Sequence, residues 1–411
     1  MKQRFKIVVC LLLIATLVLP LSAMAQDGGD EEETPRMGFW EECADPANLS
    51  GEIPIGVVFG LTGSIAQYGE PQANGVRLAE QEINESGYLG EEATVTFVYE
   101  DGGSDRETSI AAFEKLINEG VVAIIGPTLS SQAFGADPLA ADAGIPVMGV
   151  SNTAAGITTM TGDPELDQFI FRDSLPESGV IPGTVATAVE ILGIEDVAIL
   201  YGNDDDFTAS GYEVFVDALE EAGVEILLEE TFSRGDVDFS VQLTKIIEQD
   251  PDALVVSALI AEAVQIVTQA RQAGYDGPII GGNGFNSPAL FTDAGEDANG
   301  VIVGAAWNVG NPNELSEAFV EKYTEAYGNP PDQFATQSYV GAWLMATAVR
   351  CADSADPADI RDALASIQDF PSPLGLFSFD EDRNPVHDPV VQIVDDGAFA
   401  VFDESYANYF D

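Results

Sequence analysis

Three short stretches combine glycine with hydroxyl side chains in a pattern able to hold an anion. They are Gly60-Leu61-Thr62-Gly63-Ser64-Ile65-Ala66-Gln67-Tyr68-Gly69, Gly126-Pro127-Thr128-Leu129-Ser130-Ser131-Gln132 and Gly149-Val150-Ser151-Asn152-Thr153-Ala154. Each follows an apolar run and precedes a helical pattern. Free backbone N–H groups and hydroxyls then converge at a helix start, which suits a carboxylate. Ser and Thr as ordinary helix caps explain any one such loop. Three of them at the carboxyl ends of neighbouring parallel strands point to a site, because open α/β sheets bind ligands there.

Chemistry of other kinds lacks its residues. The chain has one histidine, His387, which argues against His-based catalysis and multi-His metal centres. It has no G-x-x-x-x-G-K-[ST], no G-x-G-x-x-G after the first strand and no G-x-S-x-G. Residues 380–384 begin like a calcium loop, but Pro385 stands where glycine is needed and Val391 where the bidentate Glu is needed. Asp204-Asp205-Asp206 could hold a cation or be a solvated run, the commoner case in so acidic a chain. No catalytic activity, metal or cofactor is expected.

The elements that must position the loops alternate. Apolar runs at 53–59, 93–99, 121–125 and 145–150 read as strands, with helices at 72–85, 105–118 and 131–143 between them. A second series has strands at 196–201, 225–231, 253–257 and 278–281 and helices at 178–192, 209–222, 240–248 and 262–273. Gly87, Gly120, Gly144, Gly223 and Gly274 stand at helix ends. Two such series predict two α/β lobes, each a parallel sheet covered on both faces. Residues 313–327, 334–351 and 357–367 read as further helices. Residues 374–379 and 390–402 read as short strands around a turn at 382–384.

Charge narrows the partners. There are 15 Lys and Arg against 70 Asp and Glu in 411 residues, a formal net charge of −55. Only five residues are lysine. So negative a surface repels nucleic acid and anionic lipid, and it suits a protein working in concentrated salt. Residues 1–25 read as a secretory signal: basic Lys2, Arg4 and Lys6, an apolar run over 7–19, and Ala23-Met24-Ala25 before the cleavage point. Residues 26–52 read as an acidic linker, with folding expected from about Ile53. Once the signal leaves with Cys10, Cys43 and Cys351 remain, and export permits them to pair. No later segment reaches about 18 apolar residues, so a soluble mature protein is expected.

From about Ile53 to Phe402 the chain resembles the branched-chain amino acid (LIV-type) substrate-binding proteins of ABC importers, within the type 1 periplasmic-binding-protein group. The resemblance lies in Leu61-Thr62-Gly63-Ser64 with Tyr68-Gly69, the helix holding Gly75, Ala79 and Ile83-Asn84, Ile125-Gly126-Pro127 with Ser130-Ser131, Asp238-Phe239-Ser240, and Gln269-Ala270-Arg271-Gln272-Ala273-Gly274. It implies two Rossmann-like lobes joined by three crossovers, near Arg172, Val303 and Ser372. Lobe 1 would be 53–172 with 304–372, and lobe 2 would be 173–303 with 373–411. It also implies a cleft that closes on a small-molecule ligand by hinge bending, and presentation to ABC importer permease subunits. Monomer is the default expectation. Ser130, Ser151 and Thr153 match positions that hold the ligand carboxylate. Tyr68 and Phe334 match aromatic walls, Phe207 falls near a family tyrosine, and Leu259 falls where tyrosine is common. Asn283 departs from the pattern, standing where an acid commonly pairs with the ligand ammonium. Either Asp205, Asp206 or Glu262 substitutes for it, or the ligand has no amine. A ligand-sensing receptor domain of the same fold is the alternative.

Overall fold

A computed structural model describes residues 36–410. The expected signal peptide and the first part of the acidic linker lie outside the described residues. No helix among those described is long and apolar enough to cross a membrane.

Two sheets carry the architecture. The first has five parallel strands in the order Ala93–Asp101, Gly51–Phe59, Ala123–Ile125, Val147–Gly149, Ile170–Arg172. The second has seven, in the order Ala398–Val401, Val390–Asp395, Val301–Ala305, Ile279–Gly281, Ala253–Ser257, Asp196–Gly202, Glu225–Phe232. Its last five strands are parallel, and the hairpin over Val390–Asp395 and Ala398–Val401 pairs antiparallel at one edge. Asp396 and Gly397 both have left-handed backbone, at φ 48° and 75°, and make the two-residue turn of that hairpin. An Asp-Gly pair adopts this conformation at little cost.

Most expected elements stand within a few residues of their predicted bounds. The first helix is longer than predicted, running Ala66–Ser86 with Pro71 inside it. The short strands Ile170–Arg172 and Val301–Ala305 were not anticipated; each is buried along its length, so it shows no alternation. The helix Gln333–Ala352 is buried from Gln333 through Arg350 and packs against Ala66–Ser86 as the spine of the first lobe.

Three boundaries differ from expectation. Packing starts before Ile53: Met37, Phe39 and Leu49 are buried in the core of the first lobe. Cys43 is bonded to Cys351. Arg350, buried, donates to the carbonyls of Phe39 (3.2 Å), Tyr88 (2.6 Å) and Cys43 (3.3 Å) and to Asp45 Oδ1 (2.9 Å). Asp353 Oδ1 accepts from the N–H groups of Ala47 (2.9 Å) and Asn48 (2.8 Å). Residues 37–50 are therefore a strap fixed to that lobe, and the acidic letters of this stretch concealed its few apolar anchors. The third crossing also comes later than Ser372. Phe370–Ser372, Gly375–Phe379 and Pro385–Val386 form a small antiparallel sheet. Its Phe370, Phe377 and Phe379 pack into the first lobe beside Phe39 and Phe171. The chain rejoins the second sheet only at Val390. The second crossing follows Ala305, because Val301–Ala305 is a strand of the second sheet.

Candidate ligand-binding site

The glycine and hydroxyl loops of the first lobe meet the second lobe across a closed cleft. Gly126 follows its strand at φ +112°, and a Cβ there would stand 2.1 Å from the Val58 carbonyl oxygen, so only glycine lets this loop pass. Ser130 opens the helix Ser130–Asp142, whose first N–H groups have no carbonyl within the helix. Inside the loops, Thr128 Oγ1 donates to Gln72 Oε1 (2.7 Å), and Gln72 Nε2 donates to Ser151 Oγ (2.8 Å). Ser151 Oγ donates in turn to the Thr128 carbonyl (2.6 Å). Arg172, buried, fixes the third loop by donating to the carbonyls of Asn152 (2.9 Å) and Ala154 (2.8 Å).

Seven of the eight predicted site residues line one small space between the lobes: Tyr68, Ser130, Ser151, Phe207, Leu259, Asn283 and Phe334, joined by Thr128, Leu129 and Gly284. Its free volume is about 20 Å³, room for about one water. Thr153, the eighth, lies outside this lining. It is buried, and its hydroxyl has no hydrogen-bond partner. A buried hydroxyl without a partner costs free energy unless something else satisfies it. Ser130 Oγ accepts from Ala154 N–H (3.3 Å). The Ser151 hydroxyl is already committed within its own lobe, which leaves its backbone as the part free to meet a ligand.

Tyr68 does more than form a wall. Its hydroxyl accepts from Ile260 N–H (2.6 Å) and donates to the Gly284 carbonyl (2.7 Å), so a first-lobe side chain ties two second-lobe loops. Burial holds its pKa well above the ordinary tyrosine value, so it keeps its proton. The ring lies 4.7 Å from that of Phe334. A Cβ on Gly284 would stand 2.3 Å from the Ala258 carbonyl oxygen, so this approach also requires glycine. Nearer the mouth, Arg106 pairs with Asp206 across the cleft, and Arg234 Nη2 donates to the Ser104 carbonyl (2.5 Å).

The acids expected to stand in for Asn283 are engaged elsewhere. Asp205 Oδ1 caps the helix Asp206–Ala222 through Phe207 N–H (3.0 Å), and its Oδ2 lies 3.5 Å from Arg234. Asp206 holds Arg106, and Glu262 Oε1 accepts from Gly235 N–H (2.7 Å). The sequence reading missed Glu177, the buried first residue of the helix Glu177–Leu192. Its backbone N–H donates to the Thr153 carbonyl (2.9 Å), and its Oε1 accepts from Asn283 N–H at 3.2 Å. Burial pushes its carboxyl up to about 7. Gln72, Thr128 and Gln333 were missed as well. Among 70 acidic residues no composition signal separates Glu177. The position after Pro176 at a helix start was the available hint.

The family model described as periplasmic binding protein matches residues 52–398. A leucine-, isoleucine-, valine-, threonine- and alanine-binding protein of Pseudomonas aeruginosa is 25% identical over 330 residues, covering 80% of this chain and 86% of that protein. A Leu/Ile/Val-binding protein homolog of Brucella abortus is 28% identical over 345 residues, with 83% and 89% covered. The branched-chain amino acid transporter substrate-binding protein LivJ of Streptococcus pneumoniae, solved with isoleucine, superposes with a TM-score of 0.79 at 29% identity, over 85% of this chain and 98% of that one.

Proposed function

Because the chain belongs to the periplasmic binding protein family, we propose that it is an exported solute-binding protein that delivers an amino acid or related small carboxylate to an ABC importer. One observation carries the ligand class. The Thr153 hydroxyl is buried without a partner, next in sequence to Ala154, whose N–H donates to Ser130 Oγ at a helix start. That is a place prepared for an acceptor with negative charge. Relatives named as amino-acid-binding proteins, and a neighbour solved with isoleucine, support the same class. The apolar remainder of the solute would lie against Tyr68, Phe207, Leu259 and Phe334.

The action is binding and closure, without chemistry. Solute enters between open lobes, Tyr68 and the Arg106–Asp206 pair complete the closed form, and that form is what a permease would recognise. A panel of small carboxylates, titrated by calorimetry in molar salt, identifies the solute. Thr153→Val and Ser130→Ala each then weaken its binding about tenfold or more, the worth of one charge-assisted hydrogen bond. Unchanged affinity in both variants, with folding intact, would mean that the carboxylate is held elsewhere.

A further inference from the structure

The side-chain amide of Asn283 belongs to a ladder whose ends are backbone groups. Ala306 N–H donates to Gln333 Oε1 at 2.7 Å, so the other end of Gln333 is its NH2, which donates to Asn283 Oδ1 at 2.6 Å. Asn286 is fixed in the same way. Its Nδ2 donates to the Gly304 carbonyl at 2.9 Å and reaches Asn283 Oδ1 at 3.3 Å. Its Oδ1 accepts from Gln392 Nε2 (2.8 Å), and Gln392 Oε1 accepts from Asn308 Nδ2 (2.7 Å). Asn308 Oδ1 accepts from Gly310 N–H (2.8 Å). A backbone N–H can only donate and a backbone carbonyl can only accept. Gly310, Gly304 and Ala306 therefore set every amide between them, and turning any one over breaks at least one bond.

The consequence falls on the cleft wall. Asn283 Oδ1 has two donors, which fill its two lone pairs. Its NH2 takes no acceptor among the described residues. A wall residue that could have offered an oxygen thus offers hydrogen instead. An ammonium group carries donors only and has nothing to bond there. Among the described residues no carboxylate lines the cavity to supply the missing acceptor on the wall. Asp205, Asp206 and Glu262 lie outside its lining, and so does Glu177, whose Oε1 accepts from the Asn283 backbone N–H.

We propose that the solute carries a hydrogen-bond acceptor, not an ammonium group, where it meets Asn283, so that this protein prefers 2-oxo, 2-hydroxy or other amine-free carboxylates to the matching amino acids. Gln333 is the positioning residue for this preference. The proposal rests on the carboxylate reading above and narrows it.

The test uses two matched series on the full chain in molar salt: leucine, 2-hydroxy-4-methylpentanoate and 2-oxo-4-methylpentanoate, and the same three functions on the phenylalanine skeleton. Within a series, the hydroxy or oxo acid binds tenfold or more tighter than the amino acid. Asn283→Asp, which keeps the shape and adds a charge, reverses that order. Gln333→Leu, which takes the shorter of the two donors from Asn283 Oδ1, narrows the ratio while the thermal midpoint shows the protein still folded. Tighter binding of the amino acid by the unaltered protein overturns the proposal, and loss of that preference in Glu177→Gln would identify the carboxylate that reads the ammonium. Methyl esters of the oxo acids test the carboxylate reading separately. Esters that bind as well as the acids sink that reading, whatever the amine comparison gives.

Discussion

At the scale of single residues, the site is made of groups whose hydrogen-bonding capacity is already spent and a few whose capacity is not. Thr153 has an unused hydroxyl, Ser151 does not, and Asn283 has only donors left. Sequence could select these positions, because their residue types follow glycine at strand ends. It could not say which hydroxyl was free, since that depends on Gln72 and Thr128 arriving from other segments. Glu177 carries a pH prediction. Its carboxyl is raised to about 7 in the folded chain, against an unfolded value of about 4.3. Between those limits the folded chain binds more protons than the unfolded chain, so this group's contribution to stability falls as pH rises through that window and is level above it. Glu177→Gln removes that penalty. Its stability relative to the unaltered protein should improve by up to about 3 kcal/mol between pH 4 and pH 8, measured by denaturant unfolding without ligand. Asp332, also raised to about 7, adds a slope of the same sign to both proteins and cancels in the difference. An equal difference at both pH values would mean that Glu177 is solvated. Tyr68 makes a second prediction. Tyr68→Phe leaves Ile260 N–H and the Gly284 carbonyl without their shared partner in the closed form. Small-angle scattering should then show a larger radius of gyration for the unliganded variant than for the unaltered protein. Identical curves would remove Tyr68 as a latch.

At the scale of elements, alternation of strand and helix was legible because parallel strands are continuous apolar runs and helices between them repeat near 3.6 residues. The strand Ile170–Arg172 was not, since its apolar run is cut off at Arg172 and Asp173, whereas Ala123–Ile125 and Val147–Gly149 sit in longer apolar runs. The later strands of the small sheet, Gly375–Phe379 and Pro385–Val386, were assigned to the wrong lobe because strand pattern fixes pairing, while the lobe they cover is decided by where Phe377 and Phe379 find aromatic neighbours. The run Asp204-Asp205-Asp206 looked uniform, yet each member has a separate task. Asp204 accepts from Arg234 N–H, Asp205 caps a helix and Asp206 crosses the cleft. Asp205→Ala should cost about 1 kcal/mol or more of stability, and Asp205→Asn less than half of that, because asparagine caps as well as aspartate. Equal losses in thermal or denaturant unfolding would move the role of Asp205 from the cap to its contact with Arg234.

At the scale of the whole molecule, charge dominates. Seven ion pairs are present among the described residues, against 70 acidic side chains in the chain. Most carboxylates therefore repel one another without relief until salt shortens their reach, from about 10 Å at 0.1 M to about 3 Å at 1 M. The thermal midpoint should rise by several degrees between those concentrations of potassium chloride, since each kcal/mol of repulsion removed shifts a chain of this size by about 1 °C. A flat or falling midpoint would mean that the acid excess has no bearing on folding. The strap of residues 37–50 bears on the molecule differently. It is fastened by Arg350 and by the Cys43–Cys351 bond to one helix, Gln333–Ala352, which also brings Phe334 to the cleft. Tension applied at the N-terminal end of the strap would run into that helix and stop in the first lobe. The second lobe carries none of the load, so a molecule held by its leading end can still open and shut.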